Sequence, residues 1–134
     1  MIPAMTQEWH HFDAKGKVLG RLATPITQLL LGKHRADYAA NRVAAVYVVV
    51  TNSDEVVLTG RKEEQKMYRR YSGYPGGLKE RTAKDVRARD SRRLIWEAVF
   101  GMLPKNSLRR ERMLHLKIYP TAEHPHMAQI NSKV

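Results

Sequence analysis

Six consecutive residues, Val46-Tyr47-Val48-Val49-Val50-Thr51, constrain this chain more than any other stretch. All are β-branched or aromatic, and none carries a charge, so they predict a strand. Apolar and polar residues do not alternate along it. The strand is therefore expected to be buried on both faces, as in a parallel sheet. Upstream, Leu19, Leu22, Ala23, Ile26, Leu29 and Leu30 recur at helical spacing and form one apolar stripe, read as core. Gly32 is the expected helix stop. Lys33, His34 and Arg35 follow it, where cations suit both the negative end of the helix dipole and a phosphate. Pro25 either bends a helix that begins at Leu19 or opens one capped by Thr24, and the first reading is adopted.

The other elements follow from local signals. Trp9–Asp13 reads as a first strand, Ala14–Lys17 as a turn, Asn52–Glu55 as another turn and Val56–Thr59 as a short apolar continuation. Thr82 with Asp85 three residues on opens a helix running to about Arg89. Asp90 or Ser91 caps the next, whose apolar face is Ile95, Ala98, Val99 and Met102, and Pro104 ends it. Ser107 is the expected cap of a short helix, Leu108–Leu114, and Leu116–Tyr119 reads as the last strand. From Pro120 no period is visible, so an extended arm is expected. This order predicts an α/β layer fold with a mainly parallel sheet. At 134 residues the chain is expected to be one domain, with arms at 1–8 and 120–134.

Lys66 to Arg81 has a different character. It holds five cations, three tyrosines and three glycines around Pro75. Alternation predicts a strand at Met67–Ser72, a turn through Gly73–Gly77 and a return at Leu78–Thr82, hence a projecting hairpin. Lys66, Arg69, Arg70, Lys79 and Arg81 can neutralise phosphates. Tyr68, Tyr71 and Tyr74 offer faces on which unpaired bases stack. Gly73 allows a sharp turn.

Net charge strengthens this reading. The chain carries +11 at neutral pH with a pI near 10.2. Residues 61–112 hold 16 Lys and Arg against 7 Asp and Glu, so the excess is concentrated there. Such a region points to nucleic acid, and less often to an anionic membrane surface. Arg87, Arg89, Arg92 and Arg93 are read as a solvated face, partly neutralised by Asp85 and Asp90. Gly101–Ser107 joins two basic helices and reads as a helix stop and cap. Lys105, Asn106 and the following helix start could also hold an anion.

Several function classes are disfavoured. There is no cysteine, which excludes disulfides and zinc–thiolate sites. No apolar run approaches the length of a membrane span. Met1–Gln7 is too short and uncharged for a signal peptide. No phosphate-binding glycine motif or nucleophile elbow occurs. His10-His11 and His124-Pro125-His126 are the only histidine pairs that suggest a metal or catalysis. Adjacent strand residues face opposite ways, so His10 and His11 should not converge.

The segments Trp9–Asp13, Leu19-Gly20-Arg21-Leu22-Ala23, Leu31-Gly32-Lys33-His34, Val57–Lys62, Lys66–Tyr68 and Ser72–Lys79 together resemble large-subunit ribosomal protein thirteen, a bacterial and organellar family. Gly101-Met102-Leu103-Pro104-Lys105 is the most specific match. Leu116–Tyr119 and Glu123–Gln129 complete it. The chain departs from the family pattern at Ala44-Ala45, where Gly-Asp is usual, at Pro25, and at Tyr71, where His or Thr is common. The resemblance implies a three-layer α/β/α fold with a four-stranded parallel sheet. It implies binding to large-subunit ribosomal RNA early in assembly, beside neighbouring large-subunit proteins. It implies no catalysis, cofactor, metal, membrane or small-molecule substrate. It carries RNA-binding roles onto Lys33, His34, Lys62, Lys66, Tyr68, Gly73, Lys79, Lys105, His124 and His126. Charge alone adds Arg69, Arg70, Arg109, Arg110 and Arg112, and Arg35, Arg61, Tyr71, Tyr74 and Arg81 complete the candidate interface. The expected location is a cytoplasmic ribosome, with an organellar one left open. The rival reading is a regulatory RNA- or DNA-binding module that acts off the ribosome.

Overall fold

The computed structural model describes residues 7–36 and 38–131. Met1–Thr6, expected to begin an N-terminal arm and to lack a leader signal, lie outside the described residues, as do 132–134 of the expected C-terminal arm. Strand β1 spans Glu8–Asp13 and helix α1 Leu19–Leu31. The Val46–Thr51 run forms β2. Helix α2 (Lys62–Gln65) precedes the hairpin strands β3 (Met67–Tyr71) and β4 (Leu78–Thr82). Helices α3 (Ala83–Asp90), α4 (Arg92–Met102) and α5 (Arg109–Leu114) follow. Strand β5 (Leu116–Ile118) and helix α6 (Met127–Asn131) end the described chain.

β2 is the middle strand, paired in parallel with β1 on one side and β5 on the other. Its register puts Glu8, His10 and Phe12 level with Val46, Val48 and Val50. Alternation places these residues on one sheet face and Trp9, His11, Tyr47, Val49 and Thr51 on the other. The first face carries the core. Val48, Val50 and Leu116 pack with Leu22, Ile26 and Leu30 of α1 and with Leu94, Ile95 and Val99 of α4. The second face is covered differently. Trp9 stacks on Tyr47 at 4.6 Å, and Tyr47 on His115 at 4.3 Å. Val46, Val48, Val49 and Val50 are all fully buried, so the double-sided burial expected of this run is present.

Helix α1 begins at Leu19 and continues through Pro25. Its C-cap, Gly32, is left-handed (φ 75°), and its N–H donates to the Leu29 carbonyl at 3.0 Å. A Cβ on Gly32 would lie 2.5 Å from the Cβ of Ala44. Glycine is therefore needed there for both backbone conformation and space. Thr82 caps α3 as expected, its hydroxyl accepting from the Asp85 N–H at 3.3 Å.

Five expectations change. Among the described residues the parallel sheet has three strands, because Val56–Thr59 makes only an isolated parallel bridge, Val18 with Val57. Val57 donates to Lys17 and accepts from Leu19, and the partner strand then gives way to α1, so no ladder can grow. The helix Lys62–Gln65 was not foreseen, being a single turn. Met102 is exposed, and Leu94 takes the buried place on α4. Ser107 does not cap the next helix: its N-cap is Leu108, without a side-chain cap bond, and Asn106 Oδ1 accepts from the Leu108 N–H at 3.0 Å in the turn just before it. The stretch after Pro120 does not run as an extended arm. It turns back so that α6 lies against β1.

Candidate nucleic-acid interface

The hairpin pairs Tyr68 with Arg81, Arg69 with Glu80, Arg70 with Lys79 and Tyr71 with Leu78. Directly opposed residues share a face. Tyr68, Arg70, Lys79 and Arg81 therefore stand on one side of the ribbon. That side looks onto α3 and α4, and a cleft of about 280 Å³ opens between them. Arg69, Arg70, Lys79 and Arg81 line it from the hairpin, with Arg89 and Arg93 opposite.

These cations are not equivalent. Arg69 Nε donates to Glu80 at 2.8 Å, and Arg93 donates to Glu97 at 2.9 Å. Arg70, Lys79, Arg81 and Arg89 have no ion pair among the described residues. Arg70 and Lys79 are like charges directly across the ladder, an arrangement that costs stability until an anion joins them. Tyr68 is half-buried, its hydroxyl is buried without a hydrogen-bond partner among the described residues, and burial raises its pKa above the ordinary value. Lys66 Nζ sits 5.6 Å from the centre of the same ring. Arg87 acts as a strut: it holds Glu63 with two bonds, at 2.7 and 3.1 Å, and the Asp54 carbonyl at 3.0 Å.

At the hairpin tip, Tyr71 and Tyr74 are 63% and 76% exposed. Gly73 and Gly76 have φ of 91° and 73°, and a Cβ on Gly77 would collide with the Ser72 hydroxyl. The tip thus holds two rings in water on a turn that only glycines can make. Lys62 and Lys66, at the hairpin base, line a second cleft with Gly101 and Met102. Arg61, one residue earlier, is exposed. Beyond Met102, Lys105 and Arg110 are exposed, while the Arg109 guanidinium lies 3.7 Å from the centre of the Phe100 ring.

Some expected residues are occupied within the protein. Arg112 is 2% exposed and its Nε is buried, so its guanidinium is not offered to a ligand at the surface. Helical periodicity explains this: Arg112 is next to buried Met113 and lies on the inner side of α5. Lys33 is exposed, but His34 bonds Glu8 at 2.8 Å and Arg35 Nη1 is 3.5 Å from the same carboxylate. His124 stacks on His11 at 5.5 Å. His126 lies 5.3 Å from Trp9 and shares a 2.7 Å bond with the Tyr119 hydroxyl. Burial lowers the His126 pKa, with help from Lys117 and His124. These histidines staple the tail to the second sheet face.

Sequence reasoning set Arg89 and Arg93 aside because Asp85 and Asp90 seemed to neutralise the run. Asp90 instead holds Arg92, at 2.9 and 3.1 Å, which leaves Arg89 to the cleft. Their spacing of four residues was the available signal.

The amino-acid sequence is 51% identical over 123 residues to the large ribosomal subunit protein uL13 of Thermotoga petrophila, covering 92% of this chain and 83% of that one. It is 50% identical over 123 residues to the protein of that name in Dictyoglomus thermophilum, covering 92% and 87%. With that of Thermus thermophilus it shares 49% over 126 residues, covering 94% and 90%. The family model described as ribosomal protein L13 matches residues 7–125. With nearly the whole fold inside that match, the chain belongs to the ribosomal protein L13 family.

Proposed function

We propose that the protein is a structural constituent of the large ribosomal subunit that binds ribosomal RNA and supports early subunit assembly. Its role there is architectural rather than catalytic. The observation that carries the reading is the cleft between the hairpin and α3–α4, where Arg70, Lys79, Arg81 and Arg89 meet with no ion pair to a carboxylate among the described residues. Phosphates supply the missing negative charge, and the exposed Tyr71 and Tyr74 rings suit unpaired bases. Phosphate neutralisation supplies most of the affinity, and the fixed shape of the cleft selects the RNA.

Lys33, Arg61, Lys62, Lys66, Lys105, Arg109 and Arg110 extend the interface around the hairpin base and the loop after α4. Neighbouring large-subunit proteins complete the surroundings, in a cytoplasmic ribosome of bacterial type, a reading supported by bacterial relatives. A core drawing on residues from Ala14 to Leu116 supports one domain. A three-layer arrangement is favoured by α1 and α4 against one sheet face and α6 against β1.

The test is sedimentation. The protein should migrate with large subunits through a sucrose gradient after a high-salt wash, and crosslink to their RNA through the hairpin. Recovery only in the unbound fractions would favour a module that acts off the ribosome.

A further inference from the structure

We propose that Glu8, His10 and His34 form a binding site for a divalent transition-metal ion of the zinc type. Their ligand atoms lie within 4.8 Å of one another. Both histidines aim Nε2 at one oxygen: His34 is 2.8 Å and His10 3.3 Å from Glu8 Oε2. Adjacent ligands on a tetrahedral zinc with bonds of about 2.0–2.1 Å stand roughly 3.3 Å apart. Small side-chain rotations therefore bring the three onto one ion. Two imidazole nitrogens and a carboxylate oxygen suit zinc, cobalt, nickel or copper rather than magnesium or calcium. With three protein ligands, a fourth position remains for water.

The fold builds this convergence from separate places. Glu8 and His10 are two apart on β1 and so face the same way, and β1 is an edge strand. Left-handed Gly32 turns the chain back after α1 and brings His34 over that edge. The negative end of the α1 dipole lies beside the site and favours a cation. Arg35 takes the other oxygen, Oε1, at 3.5 Å. It orients the carboxylate, and its charge weakens the site. The sequence alone suggested only the pairs His10–His11 and His124–His126, whereas the fold joins His10 to His34.

Titration of the purified, RNA-free protein with zinc chloride in a calorimeter tests this, with cobalt chloride and visible absorption as a second probe. One ion per chain should bind. His10→Phe and Glu8→Gln should each weaken binding roughly tenfold or more. His34→Gln, in an exposed turn, provides a variant that does not threaten the fold. His124→Ala with His126→Ala should leave the affinity unchanged. Binding that survives both His10→Phe and His34→Gln, binding lost only in the tail variant, or no binding at all would each overturn the site.

Discussion

Arg70→Ala separates a phosphate-binding cleft from a merely basic surface. Four cations in the cleft have no ion pair among the described residues: Arg70, Lys79, Arg81 and Arg89. Counterion release gives a log–log salt slope of about 0.7–0.9 per neutralised phosphate, so these four contribute roughly 2.8–3.6. Between 50 and 200 mM salt, affinity through the cleft should fall about 50- to 150-fold, and Arg70→Ala should reduce that fall to about 20- to 40-fold. Arg69→Ala is the internal control. Its guanidinium is already held by Glu80 at 2.8 Å, so the slope should change less than for Arg70→Ala. The substitution at Arg70 also removes the like-charge opposition with Lys79, so the hairpin is not weakened. Fluorescence anisotropy of a labelled large-subunit RNA fragment across a salt series measures all three slopes. An Arg70→Ala slope equal to the parent, or an Arg69→Ala slope lowered as far as that of Arg70→Ala, would refute the assignment.

Three further outcomes concern the body of the protein. Ile95→Ala, at a fully buried position on α4, should cost about 2–5 kcal/mol in denaturant unfolding. Gly32→Ala should cost about 1–2 kcal/mol for the left-handed backbone alone, and more for the contact with Ala44, read by the same assay. Burial holds the His115 and His126 imidazoles below their ordinary value of 6.5, so the unfolded chain takes up these protons more readily. The stability they contribute is present above pH 6.5 and is lost as pH falls through their folded values. Melting temperature should therefore drop on acidification from pH 7 to 5, and less so in His115→Phe with His126→Phe.

Local chemistry was enough to identify the longer elements, though not the short helices Lys62–Gln65 and Met127–Asn131. The unbroken β-branched and aromatic run at Val46–Thr51 read as a strand covered on both sides, and the structure buries it so. The stripe from Leu19 to Leu30 needed one helix, and Gly32 ended it where a left-handed residue was required. Gly73, Gly76 and Gly77 specified the hairpin turn: the first two take positive φ, which favours glycine, and a Cβ at the third would collide with Ser72. Concentration of charge in residues 61–112 marked the basic half of the molecule, since charge needs no contact to be counted.

Pairing decided what the residues do, and pairing is a tertiary property. Arg69, Arg70 and Arg112 look alike along the chain. One is held by Glu80, one stands opposite Lys79 with no ion pair among the described residues, and one is buried within α5. His10 and His11 are neighbours in sequence, yet the strand sends one toward Glu8 and His34 and the other toward His124. Val56–Thr59 has the composition of a strand and finds no partner to ladder with, because α1 begins too soon. Propensity, periodicity and turn chemistry act over a few residues and can be read from the order of the chain. Which charge meets which counter-charge depends on segments tens of residues apart, and only the folded packing brings those together.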